Sequence, residues 1–537
     1  MNTDSNVLDG LDQLLERARR NTLGDLLART RERMPEKFAL AYRDKRLNYE
    51  ELDNLVNQTA HAFRELGMTK GDMITVMSKN SLDFVVVNFA LARIGAVMIP
   101  INYMLTKDDV AFILNHAGAC GLIASLEYAP VLEHASLGMD ISFRFIMDIE
   151  EGDLLDGRLE EWKLLRDIRE GQPIDFVDAN LSDDDLAHVL YTSGTESRPK
   201  GVMLTHKSII SEYVSCIVDG HMAEEDVLVH ALPMYHSAQL HVFLGTSIYI
   251  GSSGIILDSA SPEVIISTIE KEGATQLFCP PTVWIALLRH PEFDTKDLST
   301  LEKCYYGAAI MPMEVLKELS ERLPNARFWN FYGQTEVAPL ATALQPEDQL
   351  RKLGSAGKPS LNIQTRIVDE NDQEVPRGEI GEIVHRTPHA MKGYLYDPEK
   401  TAEAFRGGWF HSGDLGVMDE EGYITIIDRK KDMINTGGVN VSSREVEETI
   451  YQLEGVSEVA VIGIPDKYWI EAVTAIIVPK EGVNLTEESI MEYCRGTLSK
   501  FKVPKYVAFT EGLPKNPSGK VLKRELRDEY KGLGEEE

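Results

Sequence analysis

The chain contains no CxxC pair, no HExxH and no GxSxG, and its five cysteines (Cys120, Cys216, Cys279, Cys304, Cys494) stand far apart. These absences argue against a disulfide framework, a zinc ribbon, a zincin protease and a serine hydrolase of the nucleophile-elbow type. Scattered single thiols suit a reducing, cytoplasmic setting. Basic charge is also scarce: 55 Lys and Arg face 86 Asp and Glu, a net charge of −31. Such an excess repels nucleic acid and anionic lipid, so neither is an expected partner. Long apolar runs are missing too. The strongest, Phe84 to Ile101, is broken by Asn88 and Arg93 and contains Pro100, so it reads as a buried helix leading into a strand and predicts no stable membrane insertion. The start, MNTDSNVLDG, lacks the basic and apolar parts of a secretory signal. No internal repeat or low-complexity tract is visible.

What is present is ordinary globular composition, 43% hydrophobic and 26% charged, over 537 residues, enough for at least two domains. Leu11, Leu14, Leu15 and Ala18 share one helical face near the start. From about residue 40, helical stretches alternate with β-rich runs: MITVM (73–77), AVMIPI (96–101), GIILD (254–258) and ATQLFC (274–279). That alternation predicts α/β layers with much of the sheet parallel. Between 363 and 427 shorter, more antiparallel strands are expected. Residues 495–531 then hold ten basic and four acidic side chains, a locally basic end on an acidic protein that could be plain solvated surface or could meet a polyanionic small ligand. The expected fold is α/β, with a large multi-subdomain N-terminal domain over 1–428 (layered α/β sheets plus a smaller β-rich subdomain) and a small mobile α+β C-terminal domain over 429–537.

Five passages carry chemistry. Tyr191-Thr-Ser-Gly-Thr-Glu-Ser-Arg-Pro-Lys-Gly201 follows the apolar LAHVL, and a Gly/Ser/Thr-rich loop in that position can wrap amides and hydroxyls around phosphate, with Lys200 adding a cation. Pro199 before Lys200 excludes a Walker A loop. Tyr332-Gly-Gln-Thr-Glu336 sets an aromatic face, a hydroxyl and a carboxylate within five residues, suited to a purine and a magnesium ion. In Gly408-Trp-Phe-His-Ser-Gly-Asp-Leu-Gly416, Asp414 reads as lying in a glycine-flanked turn where a carboxylate could take both ribose hydroxyls. Asp428-Arg-Lys-Lys-Asp-Met-Ile434 precedes the flexible Thr436-Gly-Gly-Val-Asn440, and Pro514-Lys-Asn-Pro-Ser-Gly-Lys520 places a lysine at a stiff turn. Alone, each could be a turn, a core tyrosine or a solvated charge run.

In this order and together, the passages resemble the ANL superfamily of adenylate-forming enzymes: acyl-CoA synthetases, peptide-synthetase adenylation domains and firefly-type luciferases. The resemblance spans about residues 25 to 530. It implies that Thr192, Ser193, Gly194, Thr195 and Lys200 cradle ATP phosphates, and that Gly307, Ala308 and Ala309 with Tyr332 and Gly333 hold adenine. It implies Thr335 at the α-phosphate, Glu336 on Mg²⁺, and Asp414 with Arg429 on ribose. Lys431 falls at the family's hinge, Lys520 is its adenylation lysine, His236 in PMYHSA lies beside the acyl carboxylate, and Gly437 and Gly438 line a tunnel for the CoA thiol. Two positions depart from the pattern: Ser197 stands where Gly is frequent, and Ile470 replaces a common Gly after Trp469.

The reaction implied is ATP-dependent formation of acyl-AMP and pyrophosphate, then transfer of the acyl group to CoA. The stretch Met234–Leu240 carries no acid to pair with an ammonium, which disfavours amino acids. The apolar segments 277–288 and 242–250 suit an alkyl wall or ordinary core, so a medium- or long-chain fatty acid is expected, with short-chain, methylthio-alkanoic and aryl acids left open. Oxygen chemistry of the luciferase kind is called for by no feature. A metal-dependent hydrolase built on His230, His236 and His241 is the alternative of another class. Oligomeric state is open, a homodimer included.

Overall fold

The computed structural model describes residues 11, 14–148, 159–192, 199–309, 311–430, 432–437, 439–466, 468–480, 482–515 and 521–534. Two large sheets dominate. In the first, Leu186–Thr192, Val97–Pro100, Met73–Met77, Gly121–Ser125, Phe143–Met147 and Lys163–Leu164 run parallel, with Lys200–Thr205 and Gly393–Tyr394 added antiparallel at one edge. In the second, six parallel strands from Arg327–Gly333 to Phe38–Tyr42 are flanked by antiparallel edges.

One continuous core joins the two sheets through the helix Leu82–Ile94. Ser81 starts that helix by accepting the Phe84 amide, and Gly95 ends it at φ 80°. Its residues are buried nearly all round, as the sequence DFVVVNFALAR requires of a helix with no water-facing side. Its fully buried charge, Arg93, is met by Asp53 at 2.8 Å and by the Gly24 carbonyl.

A third, four-stranded antiparallel sheet follows, Gln364–Val368, Ile380–Arg386, Phe410–Met418 and Ile424–Arg429. A smaller C-terminal domain has its own sheet: Val439–Val441, Ile434–Thr436, Ile470–Pro479 and Val456–Asp466, with Tyr506–Phe509 parallel to Ile470–Pro479. Helices Ser443–Tyr451 and Glu487–Thr497 pack on one face and Lys523–Tyr530 on the other. Of the strands expected at 73–77, 96–101, 254–258 and 274–279, the first is present with its bounds unchanged and the others run over 97–100, 253–256 and 276–278.

Two expectations change. The leucine face near the start is not covered: Leu11, Leu14 and Leu15 are 48%, 66% and 40% exposed. Half of the basic side chains at the end of the chain are neutralised at home. Lys502, Lys505, Lys515, Lys523 and Arg527 pair with Glu445, Asp466, Glu458, Glu447 and Asp432 of the same domain.

Seven histidines are held neutral by burial. His236, His206 and His389 are pushed down to about 4, His230, His241 and His385 to about 3, and His188 well below its ordinary range. The unfolded chain binds protons at these sites below about pH 6.5 while the folded chain does not until about pH 4. Stability is therefore present above that window and lost as pH falls through it, by about 1.4 kcal/mol per pH unit for each group. Burial also raises the carboxyls of Asp148, Glu212, Asp226, Glu336, Glu447 and Glu448, which act in the opposite sense and offset part of this loss. Melting temperature is expected to drop steeply from pH 7 to pH 5 in calorimetry; a flat profile would contradict this assignment of neutral histidines.

Candidate active site

The site forms where strand ends of all three large-domain sheets meet. Leu186–Thr192 and Lys200–Thr205 are antiparallel neighbours, with Tyr191 opposite Gly201 and Thr192 opposite Lys200. The Gly/Ser/Thr loop is thus a hairpin connection whose two ends are pinned by the ladder. Ser193, Gly194 and Thr195 lie outside the described residues. Tyr191 is fixed further by its hydroxyl, 2.7 Å from His116 Nδ1.

Lys200 leaves this hairpin toward the second sheet. Its Nζ sits 5.1 Å from the centre of the Tyr394 ring, and the Tyr394 hydroxyl donates to Glu336 Oε1 at 3.0 Å. The Met391 amide donates to the Glu336 backbone carbonyl at 2.8 Å, so this residue is anchored by backbone and side chain alike. Thr335 Oγ1 lies 3.2 Å from Ser237 Oγ, which ties the Tyr-Gly-Gln-Thr-Glu segment to the His236 segment. After His236 the chain enters a π-helix, Ala238–Gly245, a wide turn that often accompanies functional sites. Burial keeps the His236 imidazole neutral, with its pKa at about 4.

Tyr332 ends the strand Arg327–Gly333 and donates its hydroxyl to Asp414 Oδ2 at 2.6 Å. Burial, then the Asp414 carboxylate, pushes the phenol well above its usual range, so the hydroxyl stays a donor. Arg429 stands opposite Asp414 in the third sheet, with Nε 3.8 Å from Oδ1. Asp414 is not in a turn, as the flanking glycines suggested. It lies inside the strand Phe410–Met418, after Gly413 at φ 73° and just before a register shift, and these re-aim the strand locally.

Gly307 faces Phe331 on the adjacent strand, and a Cβ there would lie 2.3 Å from the Phe331 carbonyl oxygen. Ala308 and Ala309 follow as exposed residues, Ala308 at φ 62°, beside the strand end that carries Tyr332. At Gly333 a Cβ would come within 1.8 Å of the Pro339 carbonyl, so only glycine lets the chain return so tightly. The structure thus gathers Lys200, Thr335, Glu336, Tyr332, Asp414 and Arg429, with His236 linked through Ser237. Gly437 is held within the small domain by its amide N–H, which donates to the Trp469 carbonyl at 2.6 Å. Lys431, Gly438 and Lys520 lie outside the described residues.

Sequence reasoning missed Tyr394, the residue between Lys200 and Glu336. It lies 58 positions beyond that glutamate, in a segment with no motif spacing to mark it. The proposed wall segments prove to be tightly packed: Phe278 stacks on Phe243 at 4.3 Å, and Cys279 and Trp284 are buried in the core. Ile470 adopts φ 71°, a left-handed backbone costly for a β-branched residue and natural for the glycine it replaces.

A magnesium ion fits Glu336. Burial raises its pKa, Lys200 and Tyr394 favour the ionised form, and Asp414 opposes it, so a nearby cation would relieve a disfavoured charge. Among the described residues no group of three or more His, Cys, Asp or Glu could hold a metal, so a magnesium ion at Glu336 would need oxygen donors from its nucleotide as well.

With this geometry in hand, comparisons with known proteins are informative. The profile of the AMP-binding enzymes matches residues 27–395, and that of the AMP-binding enzyme C-terminal domain matches residues 445–520. A feruloyl-CoA synthase of Amycolatopsis sp is 33% identical over 95% of this chain and 100% of its own length. The long-chain-fatty-acid–CoA ligase FadD13 of Mycobacterium tuberculosis is 35% identical over 91% of this chain and 94% of its own. Among solved structures, ATP-bound MatB from Rhodopseudomonas palustris (30% identity, 95% of this chain and 99% of that one) superposes with a TM-score of 0.86, and its apo form with 0.77. The chain belongs to the AMP-binding enzymes, the adenylate-forming ANL superfamily, and within them to the acyl-CoA synthetases. It is therefore an AMP-forming acid–thiol ligase that uses ATP and CoA.

Replacing Tyr332 by Phe removes one hydrogen bond to a charged group and leaves the ring in place. An increase in KM for ATP of about tenfold or more is expected, with melting temperature nearly unchanged. Unaltered ATP kinetics would show that the Tyr332–Asp414 bond has no part in nucleotide binding.

Proposed function

We propose that the enzyme activates a carboxylic acid with an uncharged, hydrophobic tail, a medium- or long-chain fatty acid first, and transfers its acyl group to CoA. The observation that carries this reading is the electrical neutrality of the His236 region: His230, His236 and His241 are all kept unprotonated by burial, and Met234–Leu240 holds no acid. An ionic tail would find no partner there. The FadD13 relative supports an alkyl chain. An aryl acid is the second reading, favoured by the feruloyl-CoA synthase relative.

The acid arrives ionised at neutral pH, so no base is needed to start. The difficulty is to hold a carboxylate against a triphosphate while charge builds on the α-phosphate. In this reading the pinned loop of Thr192, Ser193, Gly194 and Thr195, with Lys200, holds the phosphates. Gly307, Ala308, Ala309 and Gly333 flank adenine beside Tyr332. The fixed Tyr332–Asp414 bond aims the carboxylate at ribose, which Arg429 shares, and Thr335 donates toward the α-phosphate. Mg²⁺ at Glu336 supplies charge neutralisation of the phosphates when bound. Lys520 adds the last cation, at the oxygen that becomes negative. His236, neutral and hydrogen-bonded through Nδ1 to the Ala238 amide, orients the acyl carboxylate and moves no proton.

The chain divides at residues 428 and 429. The better superposition on the ATP-bound than on the apo relative supports an adenylating arrangement of the small domain here. Turning near Lys431 then withdraws Lys520 and brings Gly437 and Gly438 to the thiol path. A cytoplasmic location agrees with the reduced, scattered cysteines; no described helix is long and apolar enough to cross a membrane.

Lys520→Ala is expected to slow adenylation by about a hundredfold or more while thioester formation from preformed acyl-adenylate stays within about threefold. Equal losses in the two half-reactions, measured separately by pyrophosphate exchange and by CoA transfer, would overturn this division of labour.

A further inference from the structure

The small domain's first helix, Ser443–Tyr451, starts against the edge strand Ile424–Arg429 of the large domain. Asp428 Oδ2 accepts the Ser443 amide at 2.7 Å and the Ser443 hydroxyl at 2.8 Å, standing where a capping carboxylate satisfies free helix amides. Ser442 Oγ donates to the Ile427 carbonyl at 2.8 Å. Arg444 makes the widest span: one guanidinium nitrogen donates to the Ile426 carbonyl and the other to the Gly354 carbonyl at 3.1 Å.

Both of its acceptors belong to rigid parts of the large domain. The Gly354 loop is braced by Lys352 on Asp419 and Glu421, at 2.6 Å each, by Arg351 on Asp348 at 2.7 Å, and by Ser355 Oγ on the Ile424 carbonyl at 2.8 Å. Gly354 itself has φ 77°, a conformation that favours glycine and lets the carbonyl face the guanidinium. Each contact made by Ser442, Ser443 and Arg444 joins a residue before Lys431 to one after it. A turn of the chain at that point separates all the partners at once.

We propose that Arg444 is a positioning residue of the adenylation half-reaction: its guanidinium, bridging the Ile426 and Gly354 carbonyls, holds the small domain in the adenylating arrangement. This rests on the two-arrangement reading given under the proposed function. Two acceptors on separate segments specify an orientation, which a single surface ion pair would not. Breaking the bridge leaves two backbone carbonyls that water can satisfy, so the contact can be released and re-formed.

The test compares wild type, Arg444→Ala and Arg444→Lys. Pyrophosphate exchange is expected to fall about tenfold in Arg444→Ala, the scale of losing a charged hydrogen-bond bridge, and less in Arg444→Lys, which keeps the charge but not the fork. Thioester formation from preformed acyl-adenylate is expected to stay within about twofold of wild type or to rise. Equal loss in both half-reactions would mark Arg444 as merely structural and overturn the proposal, as would no loss in either. A second readout needs no turnover. Spin labels at Ser299→Cys and Glu488→Cys, both exposed, are placed in a Cys120→Ser background, the other cysteines being buried. The inter-label distance distribution is expected to be narrow in the wild-type background and to broaden or shift with Arg444→Ala. An unchanged distribution would overturn the positioning role. Absence of pyrophosphate exchange in wild type with every acid would sink the functional reading and leave the distance result to decide the bridge.

Discussion

The hydrogen bond from Tyr332 to Asp414 is the constraint from which the site is built. It ties the end of a strand in the second large sheet to the middle of a strand in the antiparallel third sheet. Once it is made, Arg429 is delivered by cross-strand pairing, and the chain leaves the large domain on the same strand. On the other side of Tyr332, the tight return at Gly333 places Thr335 and Glu336 against Ser237 and Tyr394. A single phenol, kept protonated by burial and by the carboxylate it serves, thus ties the second sheet to the third, while Tyr394 on Glu336 adds the first.

The electrostatics are arranged in the same economical way. The protein is strongly acidic, yet cations face the site: Lys200 beside Tyr394 and Arg429 beside Asp414. The histidines that could have added charge are buried and neutral. Five basic residues of the small domain answer acids of that domain and so serve its internal order. Local field, rather than net charge, is what a triphosphate would meet.

Much of this was legible in the sequence because chemistry and backbone demand coincide there. Alternating β-rich and helical runs reported the layered sheets, and the Gly/Ser/Thr hairpin, Tyr332 to Glu336, Asp414 and Arg429 stood out as motifs. What was not legible came from long-range packing. Tyr394 meets Glu336 only because an edge strand returns beside the hairpin, and no local pattern encodes that return. Asp414 looked like a turn residue because glycines flank it; in the structure they shape a strand irregularity. The apolar segments at 242–250 and 277–288 could not be divided by composition between wall and core, since both need the same side chains. The bridging role of Arg444 depends on carbonyls 18 and 90 positions away.

The most direct test of the central claim is pyrophosphate release with ATP and Mg²⁺ across short, medium and long alkyl acids, methylthio-alkanoic acids and aryl acids, each with and without CoA. CoA-dependent turnover that peaks at medium or long alkyl chains is the predicted result. A peak at an aryl or short acid would keep the ligase and contradict the fatty-acid assignment, and adenylate formation indifferent to CoA would contradict the thioester-forming reaction itself.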